Sequence, residues 1–356
     1  MSAAAPPAAR SEAANAASFA TRVIDWQGRH GRHGLPWQGT RDAYRVWLSE
    51  IMLQQTQVST VLAYYPRFLA RFADVASLAA APLGDVLALW SGLGYYSRAR
   101  HLHRCAGEVM QRFGGHFPRT AAELATLPGI GPSTAAAIAA FCFGERAAIL
   151  DGNVKRVITR AFGVADDLSL PANERALWQR AQALLPTHDL PRTMPAYTQG
   201  LMDLGATVCT RTRPACTACP LQPDCQAARE GDPARYPVKT RRVRRSQQTL
   251  WLLHALDTQG RVWLTERPAR GIWAGLHCLP TFDAHEALLA TLPTSARASA
   301  MAHPPFMHVL THRDLHLHIV TAHVPADAAP GEGGWHLADA WPRLGLPAPV
   351  RRFLEQ

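Results

Sequence analysis

The distribution of apolar residues divides the chain into two parts of different periodicity. Between residues 19 and 228, apolar residues recur at spacings of three and four, which is the pattern of amphipathic helices. Glycine and proline turns, such as Gly114-Gly115 and Pro128-Gly129, separate the helical segments. No segment of this part alternates apolar and polar residues as a half-buried strand does. The pattern therefore predicts a mainly α-helical first domain.

The periodicity changes after residue 248, where short runs rich in apolar and β-branched residues lie between turns. Strands are predicted at residues 249–256, 261–265 and 316–324. Helices are predicted at residues 283–292 and 349–354. The second domain is therefore expected to be a smaller α+β domain.

Two further segments lack the pattern of a folded core. Residues 1–17 are mostly Ala with Pro, Ser and Glu, and they are expected to form a disordered leader. Residues 229–247 contain two prolines and the basic run from Arg241 to Arg245, a composition typical of an exposed linker. Contact between the basic run and phosphate is the alternative interpretation. The predicted domains are therefore residues 18–228 and 248–356.

Charge adds a prediction about the partner. The 356-residue chain has 37 Lys and Arg against 27 Asp and Glu, a formal net charge of +10. Such an excess favours a polyanionic partner, with nucleic acid ahead of a membrane surface. No apolar run approaches the roughly 20 residues that span a bilayer, and the Ala-rich start lacks the features of a signal peptide. A cytoplasmic protein, associated with the nucleoid in a prokaryotic cell, is therefore expected.

Four of the seven cysteines lie close together in the sequence, at Cys209, Cys216, Cys219 and Cys225. In a reducing compartment such clustering indicates metal binding and not disulfides. Four thiolates on a short loop can surround either one tetrahedral zinc ion or a four-iron cluster. The spacing leaves both centres open, with zinc ahead on general frequency.

The segment of residues 127–135 has the composition of a helix-hairpin-helix turn. Gly129 and Gly131 permit close approach of the backbone to a phosphate group, and Pro132 is tolerated in the first turn of a helix. Amide groups at the start of the following helix are expected to point at the anion. The candidate phosphate-binding residues are therefore Gly129, Gly131 and Ser133. An ordinary turn without this function is the alternative.

Two acidic residues next to apolar segments are candidate catalytic groups. Asp151 follows the apolar run of residues 147–150 and precedes a helical pattern, so helix capping is its simplest role. A fixed carboxylate there would also stabilise an oxocarbenium-like transition state. Helical spacing places Glu50 beside Val46 and Trp47, where dehydration favours the protonated form that a general acid needs. A solvated helix carboxylate is the alternative for Glu50.

The segment of residues 47–57 resembles the active-site helix of the MutY-type adenine DNA glycosylases, which belong with endonuclease III to the helix-hairpin-helix superfamily. Residues 35–37, 92–100 and 202–206 match the same family, so the resemblance covers most of the helical region. It implies base excision repair. The expected reaction is hydrolysis of the N-glycosidic bond of adenine mispaired with 8-oxoguanine or guanine, on a base flipped out of duplex DNA.

The resemblance also implies roles for individual residues. Glu50 is expected to protonate adenine and activate water, and Asp151 to stabilise or trap the sugar cation. Tyr95 is expected to shape the site near sugar and base. Gln54 is expected beside the opposite base in the DNA stack. The residues expected in the adenine pocket are Trp37, Gln38 and Gln199. Some relatives have Arg at the position of Gln38, which leaves that base contact open.

For the cysteines, the resemblance implies a [4Fe-4S] cluster that orders a loop beside DNA. A purely structural role of this cluster is at least as well supported as electron transfer. The second domain resembles a Nudix fold, but residues 271–295 contain only Asp283 and Glu286 as acidic residues, which argues against pyrophosphate hydrolysis. The family uses this fold to recognise 8-oxoguanine, with Thr311 and His312 as the expected contacts.

The recognition loop departs from the family at one position, where Leu310 replaces a Phe. The hydroxyl of Thr311 and the imidazole of His312 remain, so recognition through hydrogen bonds with altered stacking is expected. The neighbouring histidines are interpreted as a polar surface, with a metal site as the less favoured alternative: His303, His308, His316 and His318.

Residue 133 decides between two expected reactions. Bifunctional relatives carry a Lys at this hairpin position, and its amine forms a Schiff base with the sugar. The hydroxyl of Ser133 cannot form that imine, so a monofunctional glycosylase is expected. The protein is also expected to be a monomer and to act on double-stranded DNA. The alternatives are an endonuclease III-like pyrimidine glycosylase with lyase activity, and an iron-sulfur damage-binding protein without catalysis.

Overall fold

The computed structural model describes residues 7–240, 245–328 and 330–356. Its helices are α1 Pro7–His30, α2 Ala43–Leu53, α3 Val58–Arg71, α4 Val75–Ala80, α5 Leu83–Trp90, α6 Ser97–Phe113, α7 Ala121–Leu124, α8 Pro132–Phe143, α9 Gly152–Phe162, α10 Pro171–Ala183, α11 Leu190–Asp203, α12 Gln226–Arg229, α13 His285–Ala290, α14 Thr294–Ala298 and α15 Ala348–Leu354. A π-helical turn, Leu204–Val208, follows α11 directly, and short 3-10 turns lie at Cys216–Ala218, Gln222–Asp224, Pro233–Arg235 and Trp341–Arg343. The predicted all-helical first part is confirmed for the described residues.

The strands all follow the helical part of the chain. They are β1 Ser246–Leu256, β2 Val262–Glu266, β3 His277–Cys278, β4 Thr281–Phe282, β5 Met301–Ala302, β6 Phe306–Val309, β7 Arg313–His323 and β8 Gly334–His336. The three strands predicted from the sequence are confirmed as β1, β2 and β7, with bounds that differ by at most three residues. The shorter strands, two to four residues each, were not predicted because so few residues carry no readable periodicity.

The chain forms two compact units. The first comprises the described residues of Met1–Pro66, Asp74–Ala76 and Arg104–Arg242. The second comprises Arg67–Ala73, Ser77–His103 and the described residues of Val243–Gln356. The second unit therefore includes helical segments as well as the sheet. The domain boundaries expected from the sequence stay predictions.

Helix α1 begins at Pro7, inside the segment expected to be a disordered leader. Its later turns bury Phe19, Val23 and Trp26 in the core of the first unit. Ala has the highest helix propensity of all residues, so an Ala-rich segment joined to a packed helix can continue that helix without a buried face of its own. Residues 7–17 therefore belong to α1, residues 1–6 lie outside the described residues, and the expected leader stays a prediction.

The core of the first unit is built around α8, α9 and α11. Helix α8 is rich in Ala and is buried over most of its length, so neighbouring helices approach it closely. Helix α9 begins after the cap Asp151 and ends at Gly163, whose φ of 63° is in the left-handed region that favours glycine. These helices carry the hairpin and one candidate catalytic carboxylate.

The linker region contains local structure. The backbone N–H of Leu168 donates to the carbonyl oxygen of Val238 at 3.1 Å, and the hydroxyl of Thr240 donates to the carboxylate of Asp167. The linker is therefore attached to the first unit up to residue 240. The basic run lies largely outside the described residues, which omit 241–244.

The second unit contains a mixed sheet with the strand order β3-β2-β1-β7-β5. Strands β1 and β7 pair in parallel from Ser246 opposite Arg313 to Leu256 opposite His323. Leu288 of α13, Ala296 of α14 and Leu292 between the two helices join the apolar core that also contains residues of β1 and β7. The smaller α+β part expected from the sequence is confirmed. None of the described helices is both long and apolar enough to cross a bilayer.

Candidate active site

A cleft of about 1590 Å³ opens in the first unit, and both candidate catalytic carboxylates, Glu50 and Asp151, line it. The other predicted site residues on its wall are Trp37, Gln38, Gln54, Ser133 and Gln199. The cleft is larger than a typical small-molecule site of roughly 300–1,000 Å³, so it has room for a nucleoside and its flanking backbone.

Glu50 lies near the end of α2. That helix is capped by Asp42, whose Oδ1 accepts the N–H of Tyr44 at 2.9 Å, and it buries Trp47 and Ile51. Glu50 itself is half-buried on the cleft wall. Burial, followed by the nearby carboxylate of Asp151, raises the pKa of Glu50 to about 8. At neutral pH the Glu50 carboxyl is therefore largely protonated and able to donate a proton.

Asp151 caps helix α9, as its position in the sequence predicts. Its Oδ1 accepts the backbone N–H groups of Asn153 and Val154, both at 2.8 Å. These two bonds fix the orientation of the carboxylate on the wall of the cleft. Capping and a charge facing the cleft thus coexist in one residue.

The hairpin between α7 and α8 has the exposed glycine backbone that would let a phosphate group approach closely. Gly129 is exposed with φ of 78°, and Gly131 is the N-terminal cap of α8, followed by Pro132. The Oγ of Ser133 accepts the backbone N–H of Leu150 at 3.0 Å. This bond ties the hairpin to the residue that precedes Asp151.

Gln54 follows α2 and lines the cleft. Its Nε2 donates to the hydroxyl of Thr134 at 3.3 Å, which links the end of α2 to the first turn of α8. The next residue, Gln55, has φ of 56°, a conformation that costs energy for a residue with a side chain. The tight turn ends helix α2 beside the cleft, and a contact of Gln54 with the DNA stack stays a prediction.

The remaining pocket residues are held by contacts of their own. The Oε1 of Gln38 accepts the N–H of Leu35, and its Nε2 donates to the carbonyl of Arg32, both at 3.0 Å. Its amide therefore stabilises its own loop. The ring of Trp37 packs edge-on against Tyr65 with centroids 5.4 Å apart. A direct base contact of Gln38 stays a prediction.

Asp203 is a site residue that the sequence did not reveal. Its side chain is fully buried at the end of α11, and its oxygens accept the N–H and the Nε–H of Arg32 at 2.9 and 2.6 Å. The Nε2 of Gln199 donates to Oδ1 of the same carboxylate at 2.8 Å. Arg32 and Gln199 both line the cleft. The available signals were an acidic residue inside an apolar helical run and the family match of residues 202–206, and neither assigned a role to Asp203.

In the second unit, Thr311 and His312 form the exposed tip of the hairpin that joins β6 to β7, closed by a bond from Leu310 N–H to the Arg313 carbonyl at 2.8 Å. Tyr95 belongs to the same unit, and its hydroxyl lies 2.9 Å from Thr311 Oγ1. Its ring is exposed, and its φ is 48°. Tyr95 is not among the residues that line the cleft, so its role near the sugar stays a prediction.

The four clustered cysteines line one small pocket together with Arg160. The buried guanidinium of Arg160 donates to Cys209 Sγ at 3.5 Å and to the carbonyl of Thr210 at 2.6 Å. Burial raises the pKa of the Cys219 thiol to about 12, so a thiolate there requires a compensating positive centre. Among the described residues, no three His, Cys, Asp or Glu side chains converge on a point where a single metal ion would bind.

Comparison with known families and structures agrees with this architecture. The family described as "HhH-GPD superfamily base excision DNA repair protein" matches residues 48–183, and a NUDIX domain matches residues 251–356. A thermostable thymine-DNA glycosylase is similar with a TM-score of 0.55 and 28% identity, over 63% of this chain and 99% of that one. An endonuclease III from a DNA complex has the same fold, with a TM-score of 0.51 and 18% identity over 62% and 97% of the two chains. Fold and cleft thus define a helix-hairpin-helix base excision repair protein.

The adenine DNA glycosylase of Buchnera aphidicola is 34% identical over 343 residues, which is 95% of this chain and 97% of that protein. The chain belongs to the adenine DNA glycosylases, and it is an enzyme that hydrolyses the N-glycosidic bond of adenine in DNA. The adenine DNA glycosylase of Homo sapiens is 41% identical over 225 residues, covering 61% of this chain and 40% of the human protein. Family membership decides against a pyrimidine glycosylase and against a binding protein without catalysis.

Proposed function

We propose that this enzyme removes adenine mispaired with 8-oxoguanine or guanine, and that it does so by hydrolysis alone. The observation that carries the proposal is the pair of carboxylates on one cleft wall, Glu50 with a pKa of about 8 and Asp151 fixed by two backbone amides. The Glu50 carboxyl is largely protonated at neutral pH, and the Asp151 carboxylate is held in a fixed orientation. This is the division of roles that cleavage of a glycosidic bond requires.

Glu50 is the general acid of the proposed mechanism. Its proton passes to a ring nitrogen of the flipped adenine as the bond to the sugar breaks, so the base leaves as a neutral molecule. The deprotonated Glu50 then accepts a proton from the attacking water. Proton transfer of this kind typically contributes about 10²–10⁴-fold to the rate.

Asp151 stabilises the positive charge that develops on the deoxyribose. Both capping bonds end on Oδ1, so Oδ2 is the oxygen proposed to face the sugar. A preoriented charge costs no reorganisation when the oxocarbenium-like state forms. The amide groups at Gly129, Gly131 and Ser133 are proposed to bind a phosphate of the same strand, since the hairpin exposes backbone at a helix start.

Base removal without strand cleavage follows from Ser133. Its Oγ is already engaged as an acceptor for the Leu150 amide, and a hydroxyl cannot form the imine of a lyase reaction. Water is therefore the proposed nucleophile for the sugar cation. The product would be an intact strand with an abasic site.

Recognition of the base opposite adenine is proposed for the hairpin tip of the second unit. Thr311 and His312 are exposed there, and Tyr95 presents an exposed ring whose hydroxyl lies beside Thr311 Oγ1. Hydroxyl and imidazole groups can bond the edge of 8-oxoguanine, which differs from guanine by an added carbonyl and N–H. The ring of Tyr95 offers a stacking surface.

Cys209, Cys216, Cys219 and Cys225 are proposed to hold a [4Fe-4S] cluster. The four thiols line one pocket, and such a cluster takes one thiolate for each iron, so its ligands need not converge on a single point. When bound, the cluster supplies a covalent centre that orders the loop. Arg156 donates to the Cys209 and Gly205 carbonyls at 2.7 and 2.6 Å, which attaches the same loop to the helix that Asp151 caps.

Single-turnover cleavage of duplexes with adenine opposite 8-oxoguanine, guanine or thymine tests the proposal. Rapid release opposite 8-oxoguanine, slower release opposite guanine and none opposite thymine is the expected order. Asp151→Asn should keep DNA binding and lose turnover, whereas Glu286→Gln, at an exposed position of the second unit, should behave as wild type. Equal rates opposite all three bases, or turnover by Asp151→Asn at the wild-type rate, would overturn it.

A further inference from the structure

The buried carboxylate of Asp203 determines which end of the Gln199 amide faces the cleft. A carboxylate oxygen accepts hydrogen bonds, and Oδ1 of Asp203 already accepts the Nε–H of Arg32 at 2.6 Å. The amide group that approaches Oδ1 at 2.8 Å must therefore be the NH2 group of Gln199. This assignment follows from chemistry, since an inverted amide would set two acceptors against each other.

The consequence lies at the wall of the cleft, where the carbonyl oxygen of Gln199 becomes the fixed end of the amide. An acceptor at this position bonds an exocyclic amine and repels an exocyclic carbonyl. Among purines, a 6-amino group satisfies it and a 6-oxo group does not.

The backbone around Asp203 is held closely enough to make this orientation precise. A side chain at Gly200 would place Cβ 2.8 Å from a Val23 methyl group, so α11 lies directly against α1. A side chain at Gly205 would place Cβ 2.7 Å from Cβ of Asn153, so the π-helical turn lies directly against α9. Asp203 lies between these two contacts, and a rigid support keeps a polar group within the tolerance that recognition needs.

We propose that Asp203 is a positioning residue for base selection: it fixes the amide of Gln199 with Oε1 toward the base, and the cleft thereby selects 6-amino purines over 6-oxo purines. The inference rests on the proposed function, because it takes the cleft as the site of the flipped base. Asp203 contacts no substrate itself. It acts through Gln199.

The test compares excision of adenine, purine and hypoxanthine, each opposite 8-oxoguanine, under single-turnover conditions. Purine lacks the 6-amino group, and hypoxanthine replaces it with a carbonyl. The wild type should prefer adenine, then purine, then hypoxanthine, with adenine ahead of hypoxanthine by at least about tenfold, the low end of what base-edge hydrogen bonds provide. In Asp203→Asn the amide of Gln199 is free to invert, so the adenine-to-hypoxanthine ratio should fall to within about threefold of unity.

The matched control is Asp257→Asn. Asp257 is also buried, and its carboxylate accepts hydrogen bonds from the backbone N–H and the Nε–H of Arg261 at 2.8 and 2.6 Å. It lies at a turn of the second unit and is not among the residues that line the cleft. This substitution should lower the melting temperature and leave the adenine-to-hypoxanthine ratio unchanged. A general loss of stability is thereby separated from a change in selection.

A second variant keeps the inference falsifiable if Asp203→Asn does not fold. Gln199→Met removes the amide and leaves Asp203 and Arg32 in place, and it should lose the preference for adenine over hypoxanthine. If Gln199→Met, or a folded Asp203→Asn, keeps the wild-type ratio, Asp203 does not select through Gln199 and the inference is overturned. A wild type that releases no adenine opposite 8-oxoguanine would instead overturn the proposed function, so the two failures are distinguishable.

Discussion

The Oγ of Ser133 accepts the backbone N–H of Leu150 at 3.0 Å, and this bond joins the hairpin to the residue before Asp151. Leu150 is buried, so its amide has no alternative partner in water. Ser133 thus helps to hold the Asp151 carboxylate in position. In a bifunctional enzyme, a Lys at the same hairpin position attacks the sugar instead.

Replacing Ser133 with Ala should lower the free energy of unfolding by about 1–3 kcal/mol, because the amide of Leu150 is left buried without a partner. Urea unfolding measures this change. Ser299→Ala, at an exposed position of the second unit, should change stability by less than about 0.5 kcal/mol. A Ser133→Ala protein as stable as wild type would show that the bond contributes nothing.

Replacing Ser133 with Lys should create covalent chemistry at the hairpin. The amine can form an imine with the opened sugar, so borohydride should trap this variant on DNA that contains adenine opposite 8-oxoguanine. Wild type should give no trapped complex. A wild-type enzyme that nicks an abasic strand as fast as it releases adenine would contradict the monofunctional mechanism.

The raised pKa of Glu50 predicts the pH dependence of the rate. Because the acid form is required and its pKa is about 8, the single-turnover rate should stay level up to about pH 8 and then fall roughly tenfold per unit. Glu50→Gln should be slower by about 10²-fold or more and should lack this alkaline limb. A wild-type plateau that continues unchanged to pH 10 would exclude Glu50 as the acid.

The same pKa predicts a gain of stability in the inactive variant. The folded-state pKa of Glu50 exceeds its unfolded value, so its contribution to stability is full below about pH 4.5 and is lost as pH rises through about 8. Glu50→Gln cannot ionise and should therefore become more stable than wild type as pH rises, by about 1.4 kcal/mol for each unit of pKa shift at most. Urea unfolding at pH 5 and pH 8.5 measures the difference. An equal difference at both pH values would contradict the raised pKa.

Much of the helical unit could be predicted because its signals are local. The cap at Asp151 and the glycines of the hairpin specify backbone geometry within a few residues, and the structure has both. The convergence of Glu50 and Asp151 on one cleft was predicted only through the resemblance to a family. The two residues are 101 positions apart, and a single sequence does not show that such distant residues lie close in space.

What the sequence did not reveal depends on contacts distant in the chain. The carboxylate of Asp203 can be buried because it pairs with Arg32, which is 171 positions away in the chain. No local sequence pattern predicts that pairing. The bond between Tyr95 and Thr311 spans 216 positions in the same way. Helix α1 is a local case by contrast: it begins at Pro7 in an Ala-rich segment, and Ala has the highest helix propensity.

Restoring an aromatic residue at position 310 should sharpen recognition of the opposite base. Leu310 precedes the exposed tip of the β6–β7 hairpin, and an aromatic ring there adds a surface on which a base or sugar can pack. Leu310→Phe should raise the ratio of adenine release opposite 8-oxoguanine to release opposite guanine by about tenfold, within the roughly 1–3 kcal/mol of a stacked base. Leu337→Phe, at another exposed leucine of the second unit, is the matched control and should leave the ratio unchanged. If Leu310→Phe keeps the wild-type ratio, as Leu337→Phe should, position 310 does not take part in recognition of the opposite base.

The last prediction concerns the residue that holds the cysteine loop. Arg160 is 3% exposed, and it donates to the carbonyls of Thr210, Arg211 and Pro233 as well as to Cys209 Sγ. Arg160→Met keeps the aliphatic packing but leaves these acceptors without a donor, so the free energy of unfolding should fall by about 3–5 kcal/mol. The cysteine loop should then no longer keep the four thiols in position, and the purified variant should contain less iron per chain than wild type.

Arg180→Met is the control for Arg160→Met, because Arg180 is exposed on α10 and its guanidinium lies 5.1 Å from the ring of Phe162. It should lower stability by about 1 kcal/mol or less, the value of an exposed cation–π contact, and keep the wild-type iron content. Urea unfolding and iron analysis of the two variants separate a loss of packing from a loss of the loop. If Arg160→Met retains iron at the wild-type level while its stability falls, the arginine supports the fold alone, and the cysteine loop is ordered by other contacts.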